Sequence, residues 1–223
     1  MRRCRLSYGG VVSYAGGLAL QAAARQAVAA GEWDGVLLLV EHLPVITIGR
    51  SGGAENLLAD AAVLRERGIA VVASDRGGNI TCHNPGQLVG YPVLNLRRWR
   101  EDVHWYVEAL EEVLIRTLAR LGLTAGRKAK YTGVWLGDAK VAAIGVAVRS
   151  WITAHGFALN VANDLTIFEW VVPCGIRQFG VTSLAAAGLA VSIDEVAALL
   201  ATEFAAVFEC KLVTVPPSGV IDS

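Results

Sequence analysis

Apolar side chains run along this chain in short aliphatic blocks separated by glycine- and proline-bearing turns, interleaved with stretches of helical spacing. Residues 36–41 are a compact aliphatic run that fits a buried strand; Pro44 breaks it, residues 45–49 resume as a second strand, and Arg50, Ser51, Gly52 and Gly53 form an exit loop. Residues 14–30 mix small apolar positions with Gln21, Arg25 and Gln26, which predicts a helix whose first turn is weakened by Gly16 and Gly17. A short helix near 60–68 leads to a strand at 69–74, and residues 88–96 read as a further strand in which Pro92 favours an edge or a bulge. The clearest helix is 101–121, where Val103, Val107, Leu110, Val113, Leu114, Thr117 and Leu121 recur at steps of three and four. Glu101 and Asp102 suit its positive end, and Gly122 its stop. Residues 135–140 form a hairpin turn, followed by strands over 141–148 and 151–161. Ser192 to Glu195 is a capping box that opens a helix with Val196, Leu199, Leu200, Phe204 and Phe208 on one side. With no internal repeat and no linker, the pattern predicts one α+β domain over 1–223, a mixed sheet flanked by helices.

Composition narrows the partners. Of the 223 residues, 54% are hydrophobic and 18% charged, so the chain can bury a sizeable core. Twenty basic and twenty acidic side chains cancel, which removes the electrostatic argument for nucleic acid. The basic start MRRCRL is followed by no continuous apolar stretch, since Arg25 and Glu32 interrupt, and no window approaches the ~20 apolar residues that span a bilayer. A cytoplasmic chain with neither a membrane nor a nucleic acid as partner is expected. Cys4, Cys82, Cys174 and Cys210 have no metal-type spacing and are expected to be reduced thiols.

Three segments carry candidate chemistry. RGGNITCHNPGQLVGYP, residues 76–92, packs glycines, a histidine and two prolines between apolar runs too short for helices. Gly77 and Gly78 can bring backbone amides close to a ligand, and Pro85-Gly86 turns the chain just after His83. GVWLGDAKVAAIGVAVRSWITAHGFALNV, residues 133–161, sets Lys140 at the head of a nearly apolar strand and follows it with His155, Gly156 and Asn160. VPCGIRQFGVTSL, residues 172–184, holds Cys174 between proline and glycine. Taken locally, Cys174 reads first as a small buried hydrophobe and Lys140 as a solvated lysine after a turn.

In this order, and with EHLPVITIGR at 41–50, these motifs resemble the octanoyltransferases of lipoate synthesis, the lipoyl/octanoyl transferase B family within the biotin/lipoyl protein ligase superfamily. The likeness runs over about 41–184. It implies a biotin/lipoyl protein ligase-like fold, no cofactor and no metal. The implied reaction takes an octanoyl (or lipoyl) group from the thioester of octanoyl-acyl carrier protein. The acceptor is a lysine amine on lipoyl domains of 2-oxoacid dehydrogenase complexes or on the glycine cleavage H protein. Cys174 would be the acyl-accepting nucleophile and Lys140 the general acid/base. The substrate slot would be lined by Arg76, Gly77, Gly78, Asn79, Ile80, Thr81, Cys82 and His83, by Ala142, Ala143 and Ile144, and by Gly156, Phe157 and Ala158.

The chemistry suits those residue types. A free thiol near pKa 8.5 is only a few per cent thiolate at neutral pH and needs a nearby cation or base, which Lys140 would supply. His83 as base in a Cys-His pair is the competing assignment, and a zinc site from Cys82, His83 and Cys174 a weaker one, since the spacings match no zinc pattern. His42 and His104 read as surface or helix positions without chemical company. The oxyanion could be held by amides of Gly77-Gly78 or of 156–158. Two residues depart from the family's habit: Cys82 stands where an aromatic is common and Asn84 where glycine is. The smaller Cys82 could widen the pocket and add a redox-sensitive thiol. Arg97, Arg98 and Arg100 form a basic cluster that could receive an acidic carrier. Two other functions compete: an ATP-dependent lipoate or biotin ligase, which would not need Cys174, and a non-catalytic lipoyl- or carrier-binding module.

Overall fold

The structure, a computed structural model, describes residues 1–172 and 178–214. The strands are β1 (Arg2–Val12), β2 (Gly35–His42), β3 (Val45–Ile48), β4 (Ala70–Ala73), β5 (Ile80–His83), β6 (Gln87–Leu94), β7 (Gly126–Lys128), β8 (Tyr131–Leu136), β9 (Ala139–Arg149), β10 (Ile152–Asn160), β11 (Gly180–Val181) and β12 (Cys210–Thr214). The helices are α1 (Tyr14–Ala29), α2 (Ala61–Glu66), α3 (Val103–Arg120) and α4 (Ile193–Val207). Among the described residues the main sheet runs β12-β1-β2-β6-β10-β9-β8-β7, with β11 added beside β9, and a small sheet runs β4-β3-β5. The β12-β1-β2 pairings are parallel and those from β2 to β7 antiparallel, so the sheet is mixed.

The aliphatic run of β2 is continuous because both faces of the sheet are covered. Val36, Leu38 and Val40 pack with Ala24 and Val28 of α1, while Leu37 and Leu39 pack with Leu110, Val113 and Leu114 of α3 and Phe204 of α4. A third apolar cluster, Ile46, Leu64, Ile80, Cys82, Ile167 and Val171, fills the space beneath the small sheet. Side chains close the helix starts: Ser13 accepts from Gly16 N, Asp102 from Trp105 N, and Ser192 and Glu195 complete the expected capping box. Each such cap contributes about 1 kcal/mol.

Two expectations shift. Residue Pro92 lies in β6, which is interior rather than an edge, between β2 and β10. The proline is tolerated because the β6–β10 ladder stops at Gly90. Beyond that point the Thr153 hydroxyl donates to the Pro92 carbonyl and accepts from Leu94 N, each at 2.7 Å, replacing backbone pairing. The buried face of α3 is centred on Tyr106, Leu110, Val113, Leu114 and Leu118, while Val103 is exposed. That first turn faces a cleft instead of the core.

Candidate active site

The cleft, of about 1190 Å³, is bounded by Gly77, Gly78 and Asn79, by Val103, Val107 and Glu111 of α3, by 127–132, and by Lys140, Ile144, Gly145 and Val146 of β9. It adjoins a slot of about 50 Å³ lined by Arg76, Gly78, Thr81 and His83, by Ala143 and Ile144, by His155, Gly156, Phe157 and Ala158, and by Tyr14, Val89 and Tyr91. Gly78, Ile144 and Gly145 belong to both walls and so mark where the two adjoin. The glycine loop, the β9 strand and the 156–158 stretch, distant in sequence, therefore meet. Lys140 lies at the cleft and not in the slot.

Strand alternation sorts the residues of β5. Thr81 and His83 face the slot, whereas Ile80 and Cys82 point the other way into the cluster beneath the small sheet, fully buried. Cys82 Sγ contacts the Ile167 carbonyl oxygen at 3.4 Å, and burial pushes its thiol up to about 12. It neither widens the pocket wall nor shares a face with His83, which separates the two residues of the suggested zinc set. Ala142 is likewise in the main core, against α3. Asn84 is structural: its amide donates to the Asp164 carbonyl at 2.8 Å and its oxygen accepts from Asn163 at 3.1 Å, fixing the turn after β5.

Arg76 is buried along the slot, its Nε and Nη2 donating to Thr47 Oγ1 and Nη2 also to the Thr47 carbonyl, at 2.7–3.1 Å. His83 donates Nδ1–H to Gln87 Oε1 at 2.7 Å; Gln87 is oriented by its own donation to Asn160 Oδ1 at 2.8 Å. Desolvation, with His42 and Arg76 nearby, drives His83 down to about 3, so it is a neutral ring at physiological pH. His155 contacts Asp75 Oδ1 through Nε2 at 2.7 Å; burial lowers its pKa while Asp75 opposes the shift. His155 adopts φ +57 within β10, an uncommon strain for a residue bearing a side chain, and Gln21 of α1 steadies it by accepting its N–H at 2.7 Å.

His42, read from sequence as a surface residue, is instead fully buried. Its Nδ1–H donates to the Val12 carbonyl at 3.1 Å and its Nε2 accepts from the Tyr91 hydroxyl at 2.6 Å. Together Tyr14, His42, His83, Tyr91 and His155 form a packed floor of rings 5.6–6.4 Å apart. Nothing in the local pattern around His42 announces this, because the contact is made by Gly17 of α1, where a Cβ would lie 2.6 Å from the imidazole.

A β-bulge shapes the lysine's setting. Trp135 pairs with Lys140 but Val134 pairs with Ala142, so Val141 is the extra residue and Lys140 is re-aimed relative to the core-facing Val141 and Ala142. Lys140 Nζ donates to the Thr132 carbonyl at 3.0 Å and stands 4.9 Å from the Trp135 ring centroid. Cys174 lies outside the described residues. The residues beside its segment are held at the cleft: Val172 N donates to Asn56 O at 2.8 Å, and Asn56 donates to Asn79 at 3.0 Å. On the far side Val181 pairs with Lys140. The arginine cluster is locally neutralised, Arg97 on Glu101, Arg98 on Asp34 and Arg100 on Asp102, at 2.8–3.2 Å. No helix among the described residues is long and apolar enough to cross a membrane.

The site is thus a cleft adjoining an apolar slot on a mixed sheet with helices on both faces. Residues 13–205 match the lipoyl protein ligase A/B catalytic domain, and the chain belongs to that family. It is 49% identical to an octanoyltransferase of Solibacter usitatus, over 95% of this chain and 96% of that one. It is 46% identical to an octanoyltransferase of Clostridium kluyveri, over 96% and 92%. Its fold is similar to that of a bi-partite lipoate protein ligase from Thermoplasma acidophilum, with TM-score 0.77, 20% identity, and 98% and 88% of the chains covered.

Proposed function

We propose that this chain transfers an octanoyl group from acyl carrier protein to lysine amines of lipoyl domains, through a thioester on Cys174 with Lys140 moving the protons. The observation that carries this reading is Lys140 on the wall of a cleft adjoining an apolar slot, in a chain similar along nearly its whole length to octanoyltransferases. Val172 and Val181, on either side of 173–177, are tethered to the two lips of the same cleft, which supports a meeting of Cys174 and Lys140.

In the first half-reaction the Cys174 thiolate attacks the donor thioester carbonyl. The tetrahedral oxyanion collapses, expels the carrier thiolate, and the Lys140 ammonium protonates it. In the second half the acceptor amine attacks the acyl-cysteine, neutral Lys140 takes the amine proton, and the Cys174 thiolate leaves. Exchange of thioester for thioester costs little and the final amide is more stable, so no nucleotide is required. For the oxyanion, Phe157 and Ala158 have ladder partners on both β6 and β9, and Gly77 N donates to Val146 O at 2.8 Å. Gly78, at φ +83 where cleft and slot adjoin, and Gly156, which has a ladder partner on β9 alone, are the remaining donors of the two candidate loops. A single such donor is worth about 10² to 10³ in rate.

The slot is narrow, and an octanoyl chain would part its walls on entry, repaid by about 0.8 kcal/mol for each methylene buried. Octanoyl carrier protein is the proposed donor; lipoyl domains of 2-oxoacid dehydrogenases and the glycine cleavage H protein are the proposed acceptors. On the cleft wall the exposed Lys130 suits an acidic carrier better than the ion-paired arginines 97, 98 and 100, since Arg127 pairs with Glu111 and Glu112 and Lys128 with Asp138. Intact-mass spectrometry after incubation with octanoyl carrier protein tests the reading. The wild-type chain should gain one octanoyl group and Cys174→Ala none; acylation that instead requires free octanoate and ATP would identify a ligase.

A further inference from the structure

Glu111 is the charged member of the buried face of α3, and it is only 7% exposed. Its Oε1 accepts from the Gly133 N–H at 2.9 Å and its Oε2 from Arg127 Nε at 3.0 Å. The Gly133 N–H belongs to the same peptide unit as the Thr132 carbonyl, and that carbonyl accepts from Lys140 Nζ at 3.0 Å. A peptide unit is planar and trans, so a partner that fixes its N–H on one side also fixes the direction of its C=O on the other. We infer that Glu111 is a positioning residue for Lys140, acting through the Thr132–Gly133 peptide, so that carboxylate, peptide and lysine form one oriented relay.

Three independent features serve this arrangement. Gly133 has φ +124, and a Cβ there would lie 2.6 Å from the Ala142 carbonyl oxygen, so the peptide's orientation depends on glycine. The β8–β9 bulge at Val141 lies just beyond Lys140 on the strand facing it. Arg127 also donates to Glu112 Oε2 at 3.0 Å and to the Glu108 carbonyl at 3.1 Å, which locks its guanidinium and hence the Glu111 rotamer. A carboxylate on the N–H polarises the amide and makes its carbonyl a stronger acceptor, an effect of about 10–30% per bond. Burial shields the Glu111–Gly133 bond from water, and the Trp135 ring stands 4.9 Å from the ammonium at the more open Lys140 end. The consequence is a lysine held at the cleft with its proton exchange tuned from the far side of a peptide bond.

This inference rests on the reading of Lys140 as the proton-transfer residue, and the test keeps the two apart. The pH profiles of kcat and kcat/KM are measured with octanoyl carrier protein and a lipoyl domain for wild type, Lys140→Arg, Glu111→Gln and Glu111→Ala. Glutamine preserves an acceptor for the Gly133 N–H and is close to isosteric, so it guards against a folding defect; alanine removes acceptor and charge together. Glu111→Ala should lower kcat about tenfold or more with the donor KM within roughly twofold, and Glu111→Gln should recover most of that loss. In both variants the limb that disappears in Lys140→Arg should move to lower pH, because the ammonium loses a negative neighbour. A limb lost in Lys140→Arg yet unmoved by either Glu111 change overturns the relay and leaves the Lys140 assignment standing. A limb that persists in Lys140→Arg removes the Lys140 assignment, and the relay with it.

Discussion

Val181 pairs in parallel with Lys140, and Thr182 N donates to the Lys140 carbonyl oxygen at 3.0 Å. The strand that leaves residues 173–177 is therefore bonded to the very residue whose ammonium the proposed chemistry needs. Gln178 and Phe179, between them, fasten onto Tyr131 and Trp135 of β8, which carries the carbonyl acceptor of Lys140. The cleft wall and residues 178–182 are therefore built as one unit.

Lys140→Arg keeps the positive charge but cannot exchange a proton near neutral pH. Turnover is expected to fall by about 10² or more, the usual contribution of a positioned acid/base. Initial acyl-cysteine formation should suffer less, since a cation still favours thiolate. Rapid-quench measurement of the two half-reactions checks this; equal, small effects on both would remove Lys140 from proton transfer.

The Cys82 thiol should resist aromatic disulfide reagents in the native protein. Burial pushes it up to about 12 and its sulfur is fully enclosed, so thiolate is scarce and unreachable. Thiol counting before and after denaturant, in a Cys174→Ala background, should show Cys82 reacting only on unfolding. Rapid native reaction at Cys82 would contradict the burial and restore a redox role.

Stability should decline as pH falls below about 6.5. In the folded state burial holds His83 down to about 3, and lowers His42 and His155 as well, while the unfolded imidazoles protonate near 6.5. The unfolded chain then binds more protons, and each such group costs up to about 1.4 kcal/mol per pH unit. The contribution is complete above pH 6.5 and is lost progressively toward 3. Denaturant unfolding between pH 7 and 4.5, before the carboxylates titrate, reads it directly; His83→Asn should flatten the slope, and a flat wild-type curve would refute the buried neutral ring.

Gly90→Ala should narrow the acyl slot. A Cβ at Gly90 would meet the Phe157 ring in hard contact, and Phe157 lines the slot. The ring must swing, at a cost of about 1–3 kcal/mol in stability from overpacking. Donors with shorter acyl chains should then be favoured over octanoyl in kcat/KM; an unchanged chain-length preference would show that Phe157 is not a slot wall.

The helices, the hairpin at 135–140, the glycine loop and the strand blocks were legible because each is encoded locally, by periodicity of side chains or by turn residues. The Pro92 strand misled because tertiary context let Thr153 supply the missing ladder bonds. Glu111 carried a readable signal: it falls four residues after Val107 and three before Leu114, a charge on an apolar stripe. His42, Asp75 and Tyr91 carried none, since their partners come from elements dozens of residues away.

By itself the sequence determined the α+β pattern and the order of the motifs in which Cys174 and Lys140 stand, because periodicity, turns and motifs are properties of neighbouring residues. Only the tertiary structure decided which side of β5 meets the slot, that three histidines share a desolvated floor, and that a glutamate on α3 reaches Lys140 through one peptide bond. Those relations depend on register, a bulge and the docking of distant elements, and packing, not local preference, sets all three.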